Sequence, residues 1–164
     1  MKKIQLINDD YLGHADVVRH ACRGVVMRDG KVLLSCEAKF DKYMIPGGGV
    51  EDNETLAECC EREVLEETGF EVKAIEEYLE VEELFENWQH FNHFFICEFV
   101  RDTGCQHLTE GEKDADYKPV WMPLQDALDF FGRYEEYHQT NIADYGLYKR
   151  ELIALEEYCK VTKD

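Results

Sequence analysis

Residues 48–70 read GGVEDNETLAECCEREVLEETGF, and the rest of the chain is best interpreted outward from this segment. Apolar residues recur there at spacings of three and four, which predicts a helix over residues 55–68. Gly69 is expected to end this helix, because glycine readily adopts the left-handed conformation common at helix C-termini. The predicted buried stripe consists of Leu56, Ala57, Cys60, Val64 and Leu65.

Three carboxylates occupy another face of the predicted helix. Glu63, Glu66 and Glu67 stand at positions i, i+3 and i+4, so their side chains are expected to point the same way. Like charges at this spacing destabilise an isolated helix. The cluster therefore indicates either a strongly solvated face or a site for a hard cation, and oxygen ligands suit Mg²⁺ or Mn²⁺.

The segment resembles the Nudix box, GX5EX7REUXEEXGU, in which U is an aliphatic or bulky apolar residue. Gly48, Glu54 and the run over residues 62–70 fill every specified position. The resemblance implies the Nudix fold, an α+β arrangement in which a mixed β-sheet lies between helices as an α/β/α sandwich. It also implies an enzyme that uses metal-activated water to cleave a phosphoanhydride bond in a nucleoside triphosphate or a related nucleoside diphosphate derivative.

The resemblance also assigns roles to residues of the box. It implies Mg²⁺ or Mn²⁺ as cofactor, held by Glu63, Glu66, Glu67 and the backbone carbonyl of Gly47. Glu63 is the first choice for the general base, since neighbouring carboxylates raise its pKa and a metal lowers it. In this family a carboxylate on a distant loop sometimes takes that role, so Glu110 and Glu112 are the alternatives.

Arg62 has two interpretations. It follows Glu58 by four residues, a spacing that suits an exposed ion pair of about 0.3–0.5 kcal/mol. The resemblance instead makes Arg62 a catalytic-site residue that orients the loop and the glutamates, and we favour this interpretation. The residues expected to be structural within the motif are Gly48, Glu54 and Gly69.

Outside the box, the candidates for contacting substrate phosphates are Arg23, Lys39 and Lys42, together with the backbone of Gly48. Arg23 begins a predicted strand, where a solvated strand-end arginine is the alternative, and the two lysines precede the glycines. His90 and His93 share no ligand spacing with a carboxylate and are interpreted as ordinary strand residues. Stacking on a nucleobase is conceivable for the nearby aromatic residues, but core packing is favoured for Trp88, Phe91 and Phe94.

The bulk composition limits the partners. The 36 acidic and 18 basic residues give a formal net charge of −18, a field that repels nucleic-acid polymers. No apolar run approaches the roughly 18 residues of a membrane span, and no signal-length apolar segment follows the N-terminus. Seven cysteines without a CxxC pair indicate a reduced, cytoplasmic protein. The residues do not decide whether the chain forms the homodimers that are common in the family.

The 164 residues predict one domain over 1–164, with a Nudix core at about 20–131 and a helical extension over 134–160. Asp29-Gly30 is a hairpin turn signal. The predicted strands are a short one near Ile4 and Leu6, then residues 19–27, 31–37, one or two strands within 71–83, 87–100 and 117–122. Residues 39–43 and 102–116 are predicted to be polar loops, and helices are predicted over 124–131 and 134–158.

The segment after the box narrows the substrate. No proline lies between Phe70 and Lys118, which is unlike the ADP-ribose hydrolases of the family. Glu86 and Asn87 stand where diadenosine polyphosphate hydrolases have a tyrosine, and no coenzyme A signature is present. Nucleoside triphosphates, including oxidised ones, and nucleotide sugars remain. The alternative function is a non-catalytic nucleotide-binding or regulatory module, and the intact glutamates argue against it.

Overall fold

The computed structural model describes residues 1–163 and is built around a mixed β-sheet. The strands are β1 (Lys2–Ile7), β2 (Val17–Arg28), β3 (Lys31–Glu37), β4 (Lys42–Met44), β5 (Gly47–Gly49), β6 (Phe70–Phe85), β7 (Trp88–Asp102) and β8 (Tyr117–Pro123). The helices are α1 (Leu56–Thr68), α2 (Glu110–Asp114), α3 (Leu124–Gly132) and α4 (Ile142–Val161), with a 3-10 helix at Tyr134–Tyr137.

The sheet has the strand order β1-β6-β7-β2-β3-β4, while β5 pairs with β2 and β8 pairs with β3. The β1–β6 and β2–β7 pairs are parallel and the others antiparallel. Each face of the sheet carries its own core. On one face α1 packs its buried side chains, including Cys60 and Val64, against Val26, Leu33 and Phe95. On the other, residues of α3 and α4 such as Phe131 and Leu155 pack around Phe94. This is the predicted α/β/α sandwich.

Several strands and turns lie where the local sequence predicted them. Asp29 and Gly30 both have positive φ, 51° and 74°, and form the predicted turn between β2 and β3. The short N-terminal strand is confirmed as β1. Residues 70–85 form one long strand, β6, interrupted by register shifts. Strand β7 is covered on both faces as predicted, because Asn92 and Phe94 on one face and His93 and Phe95 on the other are all buried.

Three local predictions were wrong. Residues 42–44 form β4 rather than a connecting loop, since they pair with β3. A five-residue helix, α2, lies inside the predicted acidic loop, started by a capping box between Thr109 and Glu112. The predicted helix over 134–158 is two helices, because the Asn141 side chain accepts a hydrogen bond from the Asp144 amide and caps a new helix there.

Helix α4 packs against the second face of the sheet. Ala154 and Leu155 are fully buried, and the Tyr78 hydroxyl of β6 donates a hydrogen bond of 2.9 Å to the carbonyl oxygen of Ala154. Its contacts therefore place it in the layer opposite α1. No helix within residues 1–163 combines the length and apolar content needed to cross a bilayer.

Candidate active site

Helix α1 is fixed at both ends by its own sequence. Thr55 accepts a hydrogen bond from the Glu58 amide, and the Glu58 carboxylate accepts one of 2.7 Å from the Thr55 amide. At the other end Gly69 is left-handed, with φ 76°, and its amide donates to the carbonyl of Leu65. An N-terminal cap of this kind is worth roughly 1 kcal/mol, and the two caps together fix where the helix begins and ends.

The buried stripe of α1 differs from the predicted one. Cys60 and Val64 are fully buried as expected, whereas the predicted members Leu56, Ala57 and Leu65 are only partly buried. The remaining buried residues of the helix are Cys59, Glu67 and Thr68. The helix is therefore rotated so that one of its carboxylates faces the sheet.

The three glycines before α1 form strand β5 rather than an open loop. They pair with residues 21–23 of β2, and a Cβ on Gly47 would overlap the carbonyl oxygen of Cys22. A Cβ on Gly48 would overlap the Glu63 carboxylate. The predicted close approach of backbone is confirmed, and it leaves the Glu63 carboxylate lying directly against the glycine backbone.

Arg62 is the hub of the carboxylate cluster. Its guanidinium holds both oxygens of Glu54, at 2.9 and 2.7 Å, and also donates to Glu63 at 2.7 Å and Glu66 at 3.2 Å. It further donates to the Gly49 carbonyl at 3.1 Å. The alternative pairing with Glu58 is wrong, because that carboxylate is used in the helix cap. Arg62 thus ties the glycine strand, the loop and two of the three glutamates together.

The charge on Arg62 acts on its carboxylate partner. The bidentate hydrogen bond from Arg62 lowers the pKa of Glu54 to about 2, so Glu54 is ionised at neutral pH. The carboxylate of Glu54, with help from that of Glu63, in turn raises the pKa of Arg62 above its ordinary value. The Arg62–Glu54 ion pair is therefore charged at neutral pH and holds Glu63 and Glu66 in position through Arg62.

The three box glutamates do not share one open face, contrary to the expectation from their spacing. Glu66 is part-exposed, whereas Glu67 is only 5% exposed and accepts hydrogen bonds from Ser35 at 2.7 Å and from the Gly47 amide at 3.3 Å. Burial raises the pKa of Glu67 to about 8 and also raises the pKa of Glu63. The two carboxylates nearest the glycine strand therefore lie where their charged forms lack solvation.

The two candidate carboxylates of the downstream loop have different surroundings. Glu112 lies close enough for its charge to contribute to the raised pKa values of Glu63 and Glu67. It also accepts a hydrogen bond from the Thr109 amide at the start of α2. Glu110 pairs with Lys113, and its side chain is 89% exposed. Of the two, Glu112 is the one whose charge contributes to the pKa shifts of the box glutamates.

The basic residues predicted to contact phosphate lie in unlike places. Arg23 is buried, donating to Asn92 at 2.9 Å and to the Ile45 carbonyl at 3.4 Å, so the solvated strand-end alternative is wrong. Lys42 pairs with Asp144 of α4 at 2.7 Å. Lys39 is exposed and lies over the Phe40 ring. Neither lysine contacts the glutamates of α1.

A buried ionic network lies beneath the glycine strand, and the sequence analysis did not predict it. Arg150 bonds to Glu83 at 3.1 Å and to Glu151 at 2.8 Å, while Asn92 joins Glu83 to Arg23. The Glu151 carboxylate accepts a hydrogen bond from the Ile45 amide, two residues before Gly47. The network holds two arginines and two glutamates, so its formal charges cancel. An adjacent Arg-Glu pair within an apolar helix pattern was the available signal.

A cavity of about 220 Å³ opens between the β6–β7 hairpin and the start of α4. Phe85, Ile142 and Leu147 supply apolar wall. Asp10 Oδ1, His90 Nε2 and Arg150 Nη2 are buried and lack a hydrogen-bond partner within residues 1–163. Each belongs to a residue that lines the cavity. Unpaired buried polar groups are rare, so the cavity has the chemistry of a binding pocket.

His90 is therefore not the ordinary strand residue that its position suggested. Burial and the positive charges of Arg23, Arg150 and Arg19 lower the pKa of His90 to about 2. The imidazole is neutral at physiological pH. The aromatic residues nearby also divide: Phe94 is fully buried as predicted, whereas Trp88 and Phe91 are only partly buried and stack on Phe85 and His20.

Acidification will destabilise the protein through His90. Its pKa is lower in the folded chain than the unfolded value of about 6.5, so only the unfolded state takes up this proton as the pH falls below 6.5. The stabilisation is complete above that pH. We expect His90 to contribute about 1 kcal/mol to the loss of unfolding free energy between pH 7 and 5.5.

Urea unfolding at both pH values measures this loss. The His90→Asn variant should lose less stability on acidification than the wild type, by that amount. His14→Asn, at an exposed position, is the control and should retain the wild-type pH dependence. Equal pH dependence in the wild type and His90→Asn would show that His90 takes up its proton in the folded chain as readily as in the unfolded one.

Comparison with known proteins identifies the fold and box as a Nudix domain. The family model described as the NUDIX domain matches residues 18–143. Over 130 residues the chain is 31% identical to the Caenorhabditis elegans protein named "Putative nudix hydrolase 1", covering 75% of this chain and 34% of that protein. The chain thus spans about a third of the length of that relative.

Solved structures agree on the fold. A NUDIX hydrolase from Nitrosomonas europaea superimposes with a TM-score of 0.68 at 18% identity, covering 88% of this chain and 90% of that one. A UDP-X diphosphatase gives a TM-score of 0.60 at 16% identity, covering 91% of this chain and 66% of that one. The chain belongs to the Nudix hydrolase family, whose members act on phosphorus-containing anhydrides.

Proposed function

We propose that this protein is a Mg²⁺- or Mn²⁺-dependent pyrophosphohydrolase that cleaves a phosphoanhydride bond in a nucleoside diphosphate derivative. The main observation behind this proposal is that the glutamates of the complete Nudix box and the glycine strand are joined by hydrogen bonds. Arg62 holds Glu63 and Glu66, while Glu67 bonds to the Gly47 amide. The carboxylates and the glycine backbone therefore belong to one continuous, hydrogen-bonded site.

The donor set fits a hard divalent cation. Glu63, Glu66, Glu67 and the Gly47 carbonyl offer only oxygen, the ligand type that Mg²⁺ and Mn²⁺ prefer. Burial raises the pKa of both Glu63 and Glu67, and a cation at these oxygens would favour their charged forms. These four groups are the proposed ligands. When bound, the ion neutralises charge on the phosphate oxygens and lowers the pKa of the attacking water.

Other residues of the chain have separate tasks in this proposal. Glu63 is the first choice for accepting the proton of water, and Glu112 is the alternative because its charge acts on the pKa of Glu63. Arg62 and Glu54 orient the glutamates and the glycine strand. Arg23 lies behind that strand, bonded to the Ile45 carbonyl, so we propose a positioning role for it in place of direct phosphate binding.

The cavity beside α4 is the proposed site for the organic part of the substrate. Its unpaired Arg150 Nη2 donates hydrogen bonds, and the neutral His90 Nε2 either donates or accepts one. Phe85 offers an aromatic face and Leu147 an apolar wall. Hydrogen bonds from Arg150, through Glu83, Asn92 and Arg23 to the Ile45 carbonyl, connect the cavity with the glycine strand. A planar, carbonyl-bearing group of a nucleoside triphosphate or a nucleotide sugar suits this chemistry.

Seven free cysteines bear on where the protein works. Five are buried, and none is joined in a disulfide. Thiols persist in reducing compartments. We propose the cytoplasm as the location.

A substrate panel tests the proposed activity. The purified chain is incubated with nucleoside triphosphates and nucleotide sugars in the presence of Mg²⁺ or Mn²⁺, or with a chelator and no added metal. We expect at least one substrate to yield a nucleoside monophosphate with either metal, and the chelated sample to show about 100-fold less product, as loss of a metal-activated water predicts.

Product analysis separates this activity from other phosphatases. Cleavage between the α- and β-phosphates releases pyrophosphate from a triphosphate and a sugar phosphate from a nucleotide sugar. Binding of these compounds without turnover, at every metal condition, would instead support the non-catalytic nucleotide-binding module. Turnover that persists undiminished in the chelator would contradict the proposed cation.

A further inference from the structure

A second group of metal-ligating side chains lies on the sheet and shares no residue with the box. Glu77, Glu80 and His93 each place one potential ligand atom within 4.8 Å of the other two. His93 Nδ1 is 2.8 Å from a Glu77 oxygen and 3.8 Å from a Glu80 oxygen. His93 is buried, whereas the two glutamates are part-exposed and open the cluster to solvent.

An irregularity in strand β6 creates this cluster. Residues three apart in a regular strand point to opposite faces of the sheet. The register against β7 shifts between Glu77 and Leu79, so both glutamates approach His93. Glu80 is directly opposite His93 in the β6–β7 pairing. Sequence spacing alone could not show this, which is why His93 was interpreted as an ordinary strand residue.

The ligand distances suit a small divalent ion. Four ligands around Zn²⁺, at bond lengths of about 2.0–2.2 Å, lie roughly 3.4 Å from one another in a tetrahedron. The two distances from His93 Nδ1, 2.8 and 3.8 Å, bracket that value. Small side-chain rotations of part-exposed glutamates are enough to equalise them. An imidazole with two carboxylates favours a transition ion over Mg²⁺, which prefers oxygen ligands.

The surroundings support the ligand role of His93. Its other ring nitrogen, Nε2, lies 3.0 Å from His20 Nδ1, so the Nε2–H group can donate a hydrogen bond to His20, and in that tautomer the Nδ1 lone pair of His93 is available to a metal. Metal-binding histidines characteristically make such an outer hydrogen bond. The ammonium group of Lys3 is 3.3 Å from Glu80, and its mostly exposed side chain can rotate away when a metal binds.

We propose that Glu77, Glu80 and His93 form a binding site for a divalent transition-metal ion, represented by Zn²⁺, with water in the fourth position and His20 as the outer hydrogen-bond partner of His93. The ion would join strands β6 and β7 at the bulge. It would also replace the repulsion between two neighbouring carboxylates by shared attraction to one cation.

Zinc titration of the full chain tests the site. The measurement uses a Glu66→Gln/Glu67→Gln background, so that the box does not take up the metal, and a Cys105→Ser change to remove the exposed thiol. We expect one Zn²⁺ per chain, a rise in melting temperature on zinc addition, and a zinc X-ray absorption spectrum with nitrogen and oxygen ligands at about 2.0–2.2 Å.

Three variants complete the design: two double variants and one single variant. Glu77→Gln/Glu80→Gln should weaken zinc binding by about 100-fold or more, and His20→Asn by about 10-fold. Glu76→Gln/Glu82→Gln, which removes the same charge from the same strand outside the cluster, should bind zinc as the parent does. All variants are compared by melting temperature without metal, so that a folding defect is recognised.

Three outcomes would overturn the proposal. One is equal zinc affinity in the two double variants, and another is a sulfur shell at about 2.3 Å, which would place the ion on cysteines. The third is an absence of zinc binding by the folded parent chain at concentrations up to about 1 mM, where affinity would be below that of any specific site of this type.

Discussion

Replacing Glu66 or Glu67 by glutamine will lower kcat for phosphoanhydride hydrolysis by about 100-fold or more, the magnitude expected when a metal ligand or a base is lost. Glutamine has nearly the shape of glutamate but neither its charge nor its second anionic oxygen. Glu67 can keep its hydrogen bonds from Ser35 and the Gly47 amide through the amide oxygen. The change therefore removes the charge while leaving the packing in place.

The two positions test the site from opposite sides. Glu66 is part-exposed and, within residues 1–163, its side chain bonds only to Arg62, whereas Glu67 is buried against the sheet. A common loss at both positions cannot arise from a shared packing defect. Steady-state rates on the best substrate of the panel, at saturating Mg²⁺ and at a series of lower concentrations, measure the effect. Loss of a ligand should also raise the Mg²⁺ concentration needed for half-maximal rate.

Glu61→Gln provides the matched control. Glu61 is on the same helix, carries the same charge, and directs its carboxylate to Lys73 and the Ala74 amide on β6, away from the box. Its replacement should change kcat by less than about threefold, as expected for a surface pair. Wild-type rates in both box variants, or an equal loss in Glu61→Gln, would contradict the assignment of the site.

The parts of the site that sequence reasoning predicted are the parts encoded locally. Helix α1 begins after the Thr55 cap and ends at the left-handed Gly69, and both residues are next to the helix whose ends they define. The Asp29-Gly30 turn is equally local. Asn141, whose capping side chain starts α4, is a local signal of the same kind, but the prediction of one long helix used only the apolar pattern and did not include this cap.

The parts that were missed depend on residues far apart in the chain. The Glu83–Arg150 pair is separated by 67 residues and the Ile45–Glu151 hydrogen bond by 106. Helical periodicity placed Glu67 beside Glu63 on a common face, yet the proximity of Ser35 on β3 decides where its carboxylate points. Tertiary neighbours, which no local pattern specifies, determined the environment of each of these charges.

Removal of Arg150 is expected to cause the largest loss of stability of any single change considered. Arg150 is 4% exposed and holds the carboxylates of both Glu83 and Glu151. Arg150→Met keeps much of the side-chain volume but leaves two buried carboxylates facing one remaining arginine, Arg23. Breaking a buried ion pair in this way costs about 3–5 kcal/mol, because an uncompensated charge stays in a poorly solvated place. Urea unfolding at pH 7 measures the change.

An exposed ion pair provides the control for the expected loss of stability in Arg150→Met. Arg101→Met removes the partner of Glu71 at an exposed position and should cost less than about 1 kcal/mol. A second variant, Arg150→Met/Glu83→Gln, removes one of the two stranded charges and should recover part of the loss, since the amide oxygen of glutamine can still accept a hydrogen bond from Asn92. Suppose that Arg150→Met lowers the free energy of unfolding no more than Arg101→Met does. Water must then solvate Glu83 and Glu151 when the Arg150 guanidinium is absent. The network would then contribute little to the rigidity of the backbone that leads into the glycine strand.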